Sequence, residues 1–215
     1  MAKVEEHSTA LLLVEGKDEF HTIHALCKTF KVSVNNLENP RNGNFSIKDC
    51  NGLPKLIEQI PVQIKLLKRL GIIINADIDL KIRWQSIKDI MEKEGYNLPN
   101  ELPIEGLIFS NGEVKIGVWI MPNNNLNGML EDFIAFLVPS DDLLLPIVRE
   151  NLNDIERKNL NKYNLIHKSK AEIHSWLSLQ EEPGTPFGSS ITKRYLTTDE
   201  ETCLKLIKWL SDLFN

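Results

Sequence analysis

The sequence predicts an α/β fold: a mostly parallel sheet flanked by helices, followed by a helical C-terminal extension. Two runs, ALLLV at 10–14 and GIII at 71–74, are continuously apolar, as strands buried on both faces are. Segments with apolar residues at helical spacing stand between such runs, as crossovers between parallel strands do. After a strand pair at 107–110 and 114–120, only helical patterns follow.

The elements follow in order. Residues 10–14 lead into Glu15-Gly16-Lys17-Asp18-Glu19, where Gly16 permits a tight strand-to-helix turn. Asp18 and Glu19 fall in the first helical turn, where the dipole favours anions. Phe20, Ile23, His24, Cys27 and Phe30 carry that helix to about residue 30. An Asn42-Gly43 turn precedes a strand at 45–49. Leu56, Ile57, Ile60, Ile64 and Leu67 mark a helix over 53–70 that Pro61 should kink or split. A strand over 71–79 comes next, then a helix over about 82–94 closed by Gly95. Asn111-Gly112 joins the two following strands as a hairpin. The loop MPNNNLNG (121–128) leads to a helix over 129–138 that opens with Glu131 and Asp132. Residues 141–160 read as helix broken by Pro146, 169–179 as helix and 182–190 as a Gly/Pro loop. A last helix over 198–214 has Leu204, Ile207, Leu210 and Leu213 on one face. The 215 residues suit one domain, with an α/β core over 8–140 and a helical extension over 141–215 packed on it.

Composition excludes several classes. Hydrophobic residues at 42% and charged residues at 26% are ordinary globular values. A net charge of −5 argues against a general nucleic-acid coat. Cys27, Cys50 and Cys203 are widely spaced and odd in number, which suits a reducing cytoplasm better than a disulfide framework or zinc ribbon. No signal peptide is visible at the N-terminus, and the apolar runs are too short to cross a bilayer. A cytoplasmic protein is expected, with no membrane partner.

Chemistry concentrates where apolar runs end in acids. Asp77 and Asp79 stand at i, i+2 after one strand, so on extended backbone both point to the same side. Glu15 ends another strand that is plausibly a neighbour in a parallel sheet. Ligands of open α/β sheets sit outside the carboxyl ends of the strands. Three carboxylates there repel one another, and a hard divalent cation such as Mg²⁺ resolves the repulsion through oxygen ligands. For one acid alone, capping the following helix is the plainer reading; the combination favours function.

These residues resemble the Toprim domain. A strand into Glu-Gly, then a later strand into Asp-x-Asp, is its signature, here LLLVEGKDE and IIINADIDL. With VWIMPNNNLNGMLEDF, HKSKAEIHSWL and PGTPFGSSITKRYL, the chain is similar to short prokaryotic Toprim-like proteins related to the overcoming-lysogenization-defect nucleases. The resemblance implies a Rossmannoid, Toprim-like sheet and a metal-dependent phosphodiester hydrolase acting on DNA or RNA with Mg²⁺ or Mn²⁺. It implies Glu15 as general acid or base and metal ligand, and Asp77 and Asp79 as metal ligands. Glu19, with Glu131 or Asp132, fits the extra acids of a two-metal site. Lys170 or Lys193 would steady charge on the phosphoryl group, although an ordinary surface lysine is the plainer reading of each.

Departures narrow the reading. Tyr96, Tyr163 and Tyr195 have no separate topoisomerase domain to sit in, no primase zinc module is seen, and no G-x-x-x-x-G-K-[ST] motif occurs. Hydrolysis by an activated water is what elimination leaves. Two other readings stay open. One is a non-catalytic Toprim-fold binding or regulatory protein with nucleic acid, an unidentified protein or a second copy as partner. The other is a haloacid-dehalogenase-like phosphatase with Asp77 as nucleophile and Asp141-Asp142 downstream. Weaker signals are His21 with His24 on the first helix, and 184–190 as an anion cradle followed by Lys193 and Arg194.

Overall fold

The computed structural model describes residues 10–35, 43–112 and 114–215. The N-terminal nine residues and Asn42 of the expected Asn42-Gly43 turn lie outside the described residues.

Five strands form one sheet: β1 (Ala10–Val14), β2 (Ser46–Asp49), β3 (Arg69–Asn75), β4 (Leu107–Asn111) and β5 (Val114–Met121). Their order is β2-β1-β3-β5-β4. β1 pairs in parallel with β2 and β3, and β3 in parallel with β5. Only the edge strand β4 runs antiparallel, as the hairpin partner of β5. The protein is thus α/β with a mostly parallel sheet and a helical C-terminal segment.

The unbroken apolar runs are explained by burial on both faces. Leu12, Val14, Ile73, Trp119 and Met121 point to one side. Leu13, Ile72, Ile74, Val118 and Ile120 point to the other. On the second side lie α2 (Leu53–Ile64) and α3 (Leu80–Lys93), through Leu56, Ile60, Trp84, Ile87 and Met91. On the first side α1 (Lys17–Thr29) and α4 (Leu130–Phe136) share a core with α5 (Leu144–Arg157), α6 (Lys168–Leu177), α7 (Phe187–Thr192) and α8 (Glu201–Phe214). Of these, α8 packs on β3 and β5 of the sheet, whereas α7 packs on α1 and α6 on α4 and α5.

The close seat of α8 has a sequence cause. Gly71 of β3 and Gly117 of β5 are register partners. A Cβ on Gly117 would stand 2.5 Å from Leu213 Cδ2, and one on Gly71 would stand 2.7 Å from Leu12 Cδ1 and 2.9 Å from Phe214 Cζ. The glycine pair is a trough in the sheet surface that the end of α8 fills.

Three expectations need correction. The strand expected over 71–79 ends at Asn75, and Asp77 takes a left-handed φ of 54°, so Asp77 and Asp79 do not share one face of an extended strand. Pro146 does not break α5, because it lies in the first turn, where a missing N–H costs no helical hydrogen bond. The 182–190 stretch is not all loop: α7 begins after Pro186 and packs on α1, with Gly188 so close that a Cβ would meet His21 O at 2.6 Å.

Candidate functional site

The carboxyl ends of β1 and β3 lie side by side, with Val14 registered on Ile73. Glu15 follows β1, Asn75 closes β3 and Glu19 sits in the first turn of α1. Asn75 ties them together. Its backbone N–H donates to Glu15 Oε1, and its Nδ2 donates to Glu19 Oε1 at 3.0 Å. Its Oδ1 accepts from the backbone N–H of Leu130 at 2.9 Å, which docks the start of α4 and brings in Glu131. Every hydrogen-bonding group of this buried amide is thereby used.

The acids feel one another. Burial pushes the Glu15 carboxyl up to about 7, and the negative charges of Glu19 and Asp77 add to the shift, while the Asn75 N–H opposes it. The Glu19 carboxyl is also raised, again mainly by burial and further by Glu131. Asp132 is raised by burial; its Oδ2 accepts from the Met129 N–H at 2.8 Å and from the Ser169 hydroxyl at 3.2 Å. Cations meet two of the set: Arg83 pairs with Asp77, and Lys170 Nζ lies 3.1 Å from Glu131 Oε1.

The turn carrying Asp77 is pinned from both sides. Asp77 and Gly128 exchange backbone hydrogen bonds, each at 2.8 Å. Asn127 reaches across with Nδ2 to Ile78 O at 2.8 Å and accepts from Leu80 N at 2.9 Å. A cleft of about 370 Å³ opens beside it, lined by Asp77, Asp132, Lys168 and Ser169 among others.

Glu15, Glu19, Asp77 and Glu131 are thus brought to one end of the sheet. Asp79 instead caps α3, accepting from Ile82 N at 3.0 Å. Lys170 reaches the set through Glu131, whereas Lys193 ends α7 and pairs with Glu182. Asp142 caps α5, accepting from Leu145 N at 2.7 Å, which gives it a structural occupation in any phosphatase reading. In the 184–190 stretch, the Ser190 hydroxyl donates to Pro186 O at 3.0 Å rather than facing a free anion. His21 and His24 both pack against the Phe20 ring.

The donor chemistry fits a hard divalent cation: all four acids offer oxygen, and Oε2 of Glu19, Oδ1 of Asp77 and Oε2 of Glu131 accept no hydrogen bond from another described residue. Among the described residues, however, no three His, Cys, Asp or Glu side chains stand together as a ready-made metal cage. Arg83 and Lys170 hold Asp77 and Glu131 in ion pairs that an ion would have to replace.

Sequence reasoning missed Asn75 and the pairing role of Arg83. A polar residue closing a wholly apolar strand was the available signal for Asn75, since an asparagine is seldom buried without work to do.

The family described as "Protein of unknown function (DUF3226)" matches residues 9–215. No curated protein matches the sequence significantly. Among solved structures, the C-terminal region of the OLD protein of Xanthomonas campestris pv. campestris is similar at a TM-score of 0.38 and 15% identity, over 96% of this chain and 86% of that one. That level of likeness assigns nothing to this chain. Among the described residues no helix is long and apolar enough to cross a membrane.

Proposed function

The chain belongs to the DUF3226 family, and we propose that it is a Toprim-like, metal-dependent phosphodiester hydrolase acting on nucleic acid at the Glu15 end of its sheet. The observation that supports this reading is that, where strands β1 and β3 end, Glu15 has Glu19 and Asp77 as acidic neighbours and Glu19 has Glu131. The Glu-Gly and Asp-x-Asp motifs supply Glu15 and Asp77 of this set from the sequence side.

Glu19, Asp77 and Glu131 would hold Mg²⁺ or Mn²⁺, which when bound supplies charge neutralisation and a more acidic water. Glu15, with its carboxyl pushed up to about 7, can hold or release a proton near neutrality. Asn75 fixes the orientation of Glu15 and Glu19. Lys170, next to Glu131, can offset negative charge arriving on a substrate. Asp79 serves by capping α3, which steadies the turn that presents Asp77.

The test is cleavage of labelled DNA and RNA in Mn²⁺. Glu15→Gln should slow it by about 10²- to 10⁴-fold, as expected for loss of a general acid or base. Cleavage surviving in Glu15→Gln combined with Asp77→Asn would sink the proposal. Isothermal titration adds an independent readout: Arg83→Gln should tighten Mn²⁺ binding, because Asp77 is released from its ion pair.

A second reading is a non-catalytic binding or regulatory protein. The ion pairs of Asp77 and Glu131 favour it, since charges already balanced by Arg83 and Lys170 need no metal. No Mn²⁺ heat and no cleavage would select it.

A further inference from the structure

A second cleft, of about 700 Å³, lies at the other end of α1. Lys28 and Thr29 come from the last turn of α1, and Arg194 follows α7. Pro139, Ile191 and Leu196 supply apolar wall. Lys28 stands about 14 Å further along the α1 axis than Glu19, at 1.5 Å rise per residue, so the two sites are separate.

Arg194 is the unusual residue. It has φ 63° directly after α7, a left-handed position that glycine or asparagine ordinarily takes. A side chain bearing a Cβ carries conformational cost there. Among the described arginines it is also the one whose guanidinium meets no acceptor: Arg69, Arg83, Arg149 and Arg157 each bond an oxygen. Lys28 likewise pairs with no described residue. One acid, Asp199, lines the cleft, and its carboxylate accepts the Thr197 hydroxyl. Two cations without an acid partner and one acid thus line this cleft.

We propose that this cleft binds a small phosphate ester of about nucleotide size, with Arg194 and Lys28 on the phosphate and the apolar wall against its carrier. Guanidinium and ammonium are the groups that recognise phosphate oxygens. The volume falls in the range of about 300–1,000 Å³ typical of small-molecule sites, far more than inorganic phosphate alone fills. The proposal stands apart from the hydrolase reading, since it uses none of the acids at the Glu15 end.

The test is isothermal titration of the full chain in EDTA with AMP, ribose 5-phosphate and adenosine. Both phosphate esters should bind and adenosine should not. Arg194→Gly suits the left-handed backbone, so the variant should fold with an unchanged or higher melting temperature and yet bind AMP at least about tenfold more weakly, as loss of a charge-assisted contact requires. Lys28→Gln should weaken it in the same direction, and Asp77→Asn should leave it unchanged. Adenosine binding as well as AMP, AMP binding unaltered in Arg194→Gly, AMP binding lost in Asp77→Asn, or no phosphate ester binding at millimolar concentration would each overturn the proposal. So would binding of a 5′-phosphorylated oligonucleotide without binding of AMP, which would reassign the phosphate to a nucleic-acid end.

Discussion

Asn75 joins three stretches of chain through one amide. It bonds Glu15, Glu19 and Leu130, which lie 60, 56 and 55 residues away in sequence. Truncating it leaves the buried Leu130 N–H without an acceptor and Glu19 without its donor. Asn75→Ala should therefore cost about 1–3 kcal/mol, the penalty for stranding buried polar groups, read by urea unfolding at pH 7. Asn75→Asp should cost more there, because a further acid faces the raised carboxyls of Glu15 and Glu19, and the excess should vanish as the pH falls and the new acid protonates. The acids at this end of the molecule were legible in the sequence because charge directly after an apolar run is conspicuous. The asparagine that orients them was not, because its partners are fixed only once β1, β3 and α4 meet. Asp79 shows the reverse. The i, i+2 spacing drew it toward the metal set, but the left-handed turn at Asp77 sends it to the head of α3.

Among elements, α8 depends most on what faces it. Its seat over Gly71 and Gly117 leaves no space for a methyl group, and Trp209 Cζ2 would stand 2.8 Å from a Cβ on Gly117. Gly117→Ala should destabilise the protein by about 1–3 kcal/mol through overpacking, seen as a lower melting temperature in calorimetry. A backbone effect is not the cause, since Gly117 has no positive φ. The succession of strands along the chain, the crossovers and the hairpin were readable from apolar periodicity and from Asn111-Gly112, whereas the order β2-β1-β3-β5-β4 within the sheet was not. Helix α7 was hidden, because EPGTPFGSS has the composition of a loop. Its helical state depends on packing against α1, where Gly188 allows the approach to His21.

For the whole molecule, burial of the acid set sets the response to pH. Glu15 has an ordinary value of 4.5 and a folded value of about 7. The folded state therefore keeps a proton that the unfolded chain has already released. The associated stability is fully present below about 4.5 and is lost as the pH rises through about 7, a fall of about 3 kcal/mol in metal-free buffer. Urea unfolding between pH 4.5 and 8 measures it, and Glu15→Gln should flatten the slope. A flat profile for the unsubstituted protein would mean that Glu15 is as well solvated as an exposed glutamate.

The docking of α8 also bears on how the chain is made. The groove between β3 and β5 is filled by Trp209, Leu213 and Phe214, and Arg69 at the start of β3 donates to Phe214 O at 2.9 Å. Those strands leave the ribosome well before the segment that covers them. During translation the glycine trough and its flanking apolar side chains stay open to solvent until residue 214 clears the exit tunnel. Completion of this layer therefore waits for α8, and the nascent chain presents a face for chaperone capture until that helix arrives.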